Sequence, residues 1–272
     1  MKVTILGCGT SGGVPSIVGN WGVCDPANPK NRRRRVSILV EQGDAAILVD
    51  ASPDLREQCI SAGIKRLDAV LITHDHADHC HGIDDLRGIA GAMRQRVPLY
   101  ADPRSLRTLT SRFAYIFAGR GGYPAICDGH EIAGPFKVAG IDVVPFVQVH
   151  GDIESLGFRF GDFAYSTDVN ALSEEAFEVL AGVKVWIVDA LRYEPHPTHT
   201  HLAQTLRWID RVKPARAVLT HMTWDMDYAR LSAELPPGIE PGFDGMELTW
   251  PEAGRPVDSR DNVIPVAFST TR

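Results

Sequence analysis

The chain has 272 residues, 44% of them hydrophobic and 23% charged, a balance that supports a sizeable buried core. A formal net charge of −6 argues against bulk nucleic-acid binding or an anionic membrane surface as the main partner, and no apolar run approaches a membrane span. The five cysteines, at 8, 24, 59, 80 and 127, are odd in number and irregularly spaced, which is no disulfide framework; with an apolar N-terminal stretch too short for a secretory signal, a cytoplasmic location is expected.

Short β-branched runs bounded by turn residues read as strands over 3–6, 36–41, 46–50 and 69–73. After the third, Ser52-Pro53-Asp54 offers a capping hydroxyl, a proline for the first helical position and an acid for the first turn, which predicts a helix that ends at Gly63. A second helix is expected over 103–117. Strands follow over 141–149, 156–160, 163–167, 183–189 and 215–220, with helices over 173–180 and 201–212. In the last helix Leu202, Leu206 and Ile209 share one face, and Pro214 lies just beyond the end. No repeat, low-complexity tract or Gly/Ser-rich linker divides the chain, so residues 1–272 are read as one domain of the α/β class with sheets covered by helices.

The chemistry gathers in one loop. Residues 74–81 read His-Asp-His-Ala-Asp-His-Cys-His, so four of the ten histidines fall where chance would place fewer than one. The run follows the apolar strand 69–73, and functional groups collect at such loop positions. Imidazole and carboxylate together suit borderline divalent metals such as zinc, manganese or iron. Later apolar strands end in the same way, at His150, at Asp168 and at His221. His81 and His130 stand outside this pattern and are read as surface or core histidines, and Cys80 as a small packing residue.

His-x-His-x-Asp-His followed by a lone His, a lone Asp and a lone His resembles the metallo-β-lactamase fold superfamily, over nearly the whole chain. The resemblance implies a four-layer αβ/βα sandwich with a two-metal site between its sheets, zinc or manganese. It assigns His74, His76 and His150 to one metal, Asp78, His79 and His221 to the other, and Asp168 to both. Asp50, which closes the strand 46–50, matches an early aspartate that orients a metal-bound imidazole.

Finer motifs narrow the resemblance. They are Gly7-Cys8-Gly9-Thr10-Ser11-Gly12-Gly13, the basic run 31–40, His196-Pro197-Thr198-His199-Thr200-His201 and Gly242-Phe243-Asp244-Gly245-Met246. Together they are similar to the subgroup that contains phosphoribosyl 1,2-cyclic phosphate phosphodiesterase and ribonuclease Z-type phosphodiesterases. This implies hydrolysis of small cyclic phosphates or nucleotide-like diesters by a metal-bridging hydroxide. His199 is expected to protonate the leaving oxygen, with His201 as the competing candidate and Asp78 steering the nucleophile's proton. One of the four arginines at 32–35 is expected to meet the substrate phosphate, with Arg35 and the neighbouring Ser37 as candidates and the choice among the four left open, against the alternative of a solvated charge run. Only Cys24 stands where the subgroup's phosphonate-pathway enzyme carries a cysteine cluster, so no third, structural zinc is expected. The rival readings are a carboxylic ester, lactone or thioester hydrolase on the same metals, and a nucleotide-binding module without turnover. The expected partner is a small phosphorylated substrate, not a membrane, and the proline-rich tail (Pro236, Pro237, Pro241, Pro251, Pro256) is a candidate for the site rim or a homodimer contact.

Overall fold

Side chains alternate along a strand, so a strand buried on both faces must supply two cores. In β2 (Ser37–Gln42) and β3 (Ala45–Val49), Ile38, Val40, Ile47 and Val49 belong to one apolar cluster, while Leu39 and Leu48 belong to another. The computed structural model, which describes residues 1–250, shows what each cluster packs against; Pro251 and Pro256 of the tail lie outside the described residues. The first sheet also contains β1 (Lys2–Gly7), β4 (Ala69–Leu71), β5 (Val97–Ala101) and β6 (Cys127–Glu131), with β15 (Glu247–Thr249) paired to β1 at its far edge. The second is built from β8 (Ile141–His150), β9 (Ile153–Phe160), β10 (Phe163–Ser166), β11 (Ala171–Leu172), β12 (Val185–Asp189), β13 (Arg216–Thr220) and β14 (Ile239–Pro241), with β7 (Phe136–Val138) on β8. The larger core lies between the sheets. The smaller one seals the outer face of the first sheet with residues of α1 (Leu55–Ala62), α3 (Leu86–Met93) and α4 (Pro103–Arg112). On the other side, α6 (Glu174–Leu180) and α7 (Leu202–Val212) bury Leu180, Leu202, Trp208 and Ile209 in the larger core. The four-layer αβ/βα sandwich is therefore what the chain forms.

The direction of the strands positions the site. β10, β12, β13 and β14 run parallel, and β8 points the same way because β9 is antiparallel to both β8 and β10. β3 and β4 are likewise parallel in the first sheet. The C-terminal ends of β8, β10, β12 and β13 thus reach one edge, where the chain places His150, Asp168, Asp189 and His221.

Three expectations need correction. The first helix starts at Leu55 with Asp54 at its N-cap, because the Ser52 hydroxyl accepts the Asp54 N–H and bonds Gln58 Oε1 at 3.0 Å; Gly63, at φ 67°, does end it. The helix over 103–117 breaks at Phe113 (φ −121°, ψ 42°) into α4 and α5 (Ala114–Ala118). β5 and β6 escape a reading by apolar periodicity, since β5 contains a proline and β6 is the polar edge run Cys-Asp-Gly-His-Glu. No helix among the described residues is long and apolar enough to cross a membrane.

Gly82 locks the seam between α2 (Ala77–Cys80), which carries metal-loop residues, and the segment after β3. Its N–H donates to Ala51 O at 2.9 Å, and a Cβ there would sit 1.9 Å from the Ser52 carbonyl oxygen. Gly82→Ala is expected to lower unfolding stability by about 1–3 kcal/mol or more, read as a reduced urea midpoint with an unchanged slope.

Candidate metal centre

His74 and His76 lie on the loop after β4, and Asp78 and His79 on the single turn of α2. Asp168 and His221 follow β10 and β13, each with a positive φ (51° and 57°), as does Asp50 after β3 (64°). A left-handed backbone at a non-glycine residue costs about 1 kcal/mol or more. Here it turns three strand ends into the same edge.

Two sets of donor atoms share Asp168, with the atoms of each set within 4.8 Å of one another: His74, His76, His150 and Asp168 in one, Asp78, His79, Asp168 and His221 in the other; Asp189, His199 and His221 form a third group on the same criterion. Asp168 belongs to both because its oxygens point different ways. Oδ2 lies 3.6 Å from His150 Nε2 and 3.9 Å from His74 Nε2, whereas Oδ1 lies 3.1 Å from His79 Nε2 and 3.3 Å from His221 Nε2. Asp78 Oδ2 closes the second set at 3.4 Å from His79 Nε2 and 3.7 Å from His221 Nε2.

The outer ring atoms are held by a second layer. His79 Nδ1 is 2.7 Å from Asp50 Oδ2, and Asp50 Oδ1 accepts the Thr73 N–H at 2.8 Å. His150 Nδ1 donates to Thr198 O at 2.7 Å, and His74 Nδ1 meets Thr73 Oγ1 at 3.0 Å. Each contact aims the opposite ring nitrogen inward. Asp168 is fixed through the Thr167 hydroxyl on its Oδ1 (2.7 Å) and the Ser155 hydroxyl on its carbonyl (2.8 Å).

The inward nitrogens then lack partners. His74 Nε2, His79 Nε2 and both nitrogens of His221 are buried without a hydrogen bond. Buried polar atoms are almost always bonded, so four orphans around two carboxylates require a ligand. Imidazole and carboxylate donors fit a divalent cation.

Electrostatics agree. Burial opposes charge at every group, yet His221, His79 and His74 hold Asp168 well below the usual carboxylate range, and His79 and His221 do the same for Asp78. Burial also works against a charged His79 and His221, but Asp168 and Asp78 raise both, His221 to about 9. His74 moves the other way, lowered by burial and by His79. The pocket holds its carboxylates ionised and gathers positive charge beside them.

His199 completes the cluster. Its ring stacks on His221 (centroids 4.7 Å apart, 12° between planes), and its Nε2 reaches to 3.8 Å from Asp168 Oδ2. Its Nδ1 lies 3.0 Å from Asp189 Oδ2, a wholly buried carboxylate. Asp189 escaped the sequence reading although it ends the apolar strand β12 as Asp168 ends β10; that signal was available. His201 takes the N-cap of α7 and belongs to none of the His/Asp groups, so it is a helix-entry residue and not a partner of the cluster.

The proposed phosphate contacts do not reach the cluster. Ser37 is fully buried, its hydroxyl 3.0 Å from Val49 O and 2.9 Å from Asp50 O, where it steadies the turn bearing Asp50. Arg35 is paired with Asp54, Nε to Oδ2 at 2.7 Å. Arg33 is buried and donates to Thr223 O (2.9 Å) and to Met226 O, bracing the loop after His221. Arg34 donates to Ser61, and Arg32 lies over the Trp21 ring. Within the run Arg33 is buried and Arg34 and Arg35 half-buried, and all three are engaged with carbonyl, hydroxyl or carboxylate partners. His81 and His130 are exposed, against Phe113 and Tyr100, and burial pushes the Cys80 thiol up to about 12.

Comparison with known proteins places this geometry. A family model described as a beta-lactamase superfamily domain matches residues 45–222, which include every donor named above. A solved structure described as a new diphosphatase from the PhnP family superposes with a TM-score of 0.85 at 36% identity, covering 91% of this chain and 96% of that one. An octanoyltransferase of Porphyromonas gingivalis is 34% identical over 262 residues, 93% of this chain and 52% of that protein. A ribonuclease Z of Bradyrhizobium diazoefficiens is 32% identical over 141 residues, 48% of this chain and 46% of that protein. The chain spans about half the length of the curated relatives it matches. With the superfamily's fold and a His/Asp centre at the ends of its strands, the chain belongs to the beta-lactamase superfamily.

Proposed function

We propose that the chain hydrolyses small phosphodiesters, cyclic phosphates or nucleotide-like diesters, with two divalent cations, zinc or manganese, held by His74, His76, His150, Asp78, His79, His221 and the shared Asp168. The observation that carries this reading is the ring of His199, whose outer nitrogen is tied to Asp189 while its inner nitrogen faces the donor cluster. The likeness to a PhnP-family diphosphatase at 36% identity over most of both chains supports phosphoryl chemistry.

Cations bound by these residues supply Lewis acidity and activation of water at neutral pH. Asp168 divides its oxygens between the two donor sets, so one rigid carboxylate fixes their spacing. Asp189 accepts the Nδ1 proton of His199, which sets the ring's orientation and leaves Nε2 as the atom that exchanges a proton with the departing oxygen. Asp78 offers its carboxylate beside His79 and His221, where it steers the attacking water's proton by accepting a hydrogen bond. The ion pairs to Asp78 and Asp168 among the described residues all come from histidines.

A second reading, hydrolysis of a carboxylic ester or thioester at the same site, is favoured by the match to half of an octanoyltransferase. Turnover of bis-p-nitrophenyl phosphate against a p-nitrophenyl carboxylic ester by the metal-loaded chain decides between them. Release of nitrophenol from the ester alone sinks the phosphodiesterase reading.

Three further outcomes are expected. His199→Ala lowers kcat on the diester about 10²–10⁴-fold while metal content by elemental analysis stays at the wild-type level; loss of metal along with activity would make His199 a ligand instead. Asp50→Ala, by releasing His79 Nδ1, weakens metal binding about 10–100-fold. The same centre makes the melting temperature metal-dependent: chelation lowers it and readdition of zinc or manganese restores it, since a cation that binds only the folded chain stabilises it by mass action. A thermal shift that ignores chelator would contradict the assigned donor set.

A further inference from the structure

We propose that a groove beside the metal centre binds an uncharged alkyl or acyl chain of the substrate; this rests on the phosphodiesterase reading only for where the phosphate sits. The groove has a volume of about 730 Å³, within the range of about 300–1,000 Å³ common for small-ligand sites. One wall is the β8–β9 hairpin, and the other is the first turn of α4 with residues 132–134. Its inner end is framed by Asp75, which stands between His74 and His76, and by Gly151, which follows His150. A ligand whose phosphate occupies the metal centre therefore has the groove as its next open space.

The hairpin's outward face is unusual for an antiparallel pair. Such a face is ordinarily polar, because alternate residues turn to water. Here Val147 and Val149 occupy it at 50% and 41% exposure, while Gln148 and His150 between and beyond them turn inward. Leu156, directly across from Val147 and so on the same face, forms the groove's floor, while Phe146 turns inward with Gln148 and His150. Gly157, opposite Phe146, leaves room for that ring to lie back along the sheet: a Cβ there would be 2.3 Å from it. Between Pro145 and His150 the strand advances roughly 16 Å at about 3.3 Å per residue, enough for an extended chain of several carbons.

Charge specifies the occupant. Asp75, Asp102, Asp152 and Glu154 line the groove against Arg104; Asp75 faces the Arg112 guanidinium at 3.8 Å, and Asp102 is engaged in capping α4. A phosphate or carboxylate is repelled from this wall and drawn to the metal end. The ligand is thus oriented, with its anionic head at the centre and its uncharged tail between the valines and the floor.

The test uses the metal-loaded chain with methyl, butyl and hexyl p-nitrophenyl phosphates for turnover, and butyl and hexyl phosphate for calorimetric binding. Affinity and kcat/KM are expected to rise up to roughly fourfold for each methylene buried. Val149→Asp should flatten the hexyl-to-methyl ratio, and Val149→Thr, which keeps the β-branched shape, should reduce it in part. A wild-type ratio near one, with the methyl diester turned over, overturns the groove and leaves the phosphodiesterase reading standing. No diester turnover, with binding that still strengthens with chain length and loses this in Val149→Asp, keeps the groove and removes that reading. Neither turnover nor chain-length dependence removes both.

Discussion

A carboxylate surrounded by imidazoles and sealed from water governs this structure. Asp168 is almost fully buried, and an ion of that kind is several kcal/mol more costly in a protein interior than in water unless opposite charge stands beside it. His74, His79, His150, His199 and His221 all turn a nitrogen toward it. Asp50, Thr73, Thr198 and Asp189 hold the other nitrogen of His79, His74, His150 and His199, whereas that of His221 has no hydrogen bond.

The outer layer extends well beyond the polar residues that touch the imidazoles. Ser37 steadies the turn of Asp50, Arg33 braces the loop after His221, and Gly82 allows α2 to lie against the segment after β3. A shift at any of these positions moves a donor atom, and effects on metal binding should therefore spread much wider than the ligand set. His199 differs from the ligands in this respect: its anchor, Asp189, comes from the floor of the second sheet, so it is positioned independently of the 74–79 loop.

Much of this was legible in the residues themselves. The donors could be found because each ends an apolar strand, and a polar ligand-type residue at that point contrasts sharply with what precedes it. Asp189 carries the same signature and was passed over because the family pattern has no slot for it. The arginine run misled for a different reason. A block of four like charges looks solvated or substrate-facing, yet its fate depends on which distant carbonyls lie nearby, and Thr223 and Met226 are some 190 residues away in sequence. The polar edge strand β6 and the break at Phe113 likewise reflect tertiary pairing, which local periodicity does not encode.

The left-handed backbone at Asp50, Asp168 and His221 has an evolutionary consequence. Glycine or asparagine would occupy those turns with less strain, so the empty scaffold gains stability by abandoning the very residues that make the centre. Selection for folding alone pulls against all three. A lineage that no longer needed the chemistry would be expected to lose it first at these turns, while the strands and helices around them persist with their cores intact.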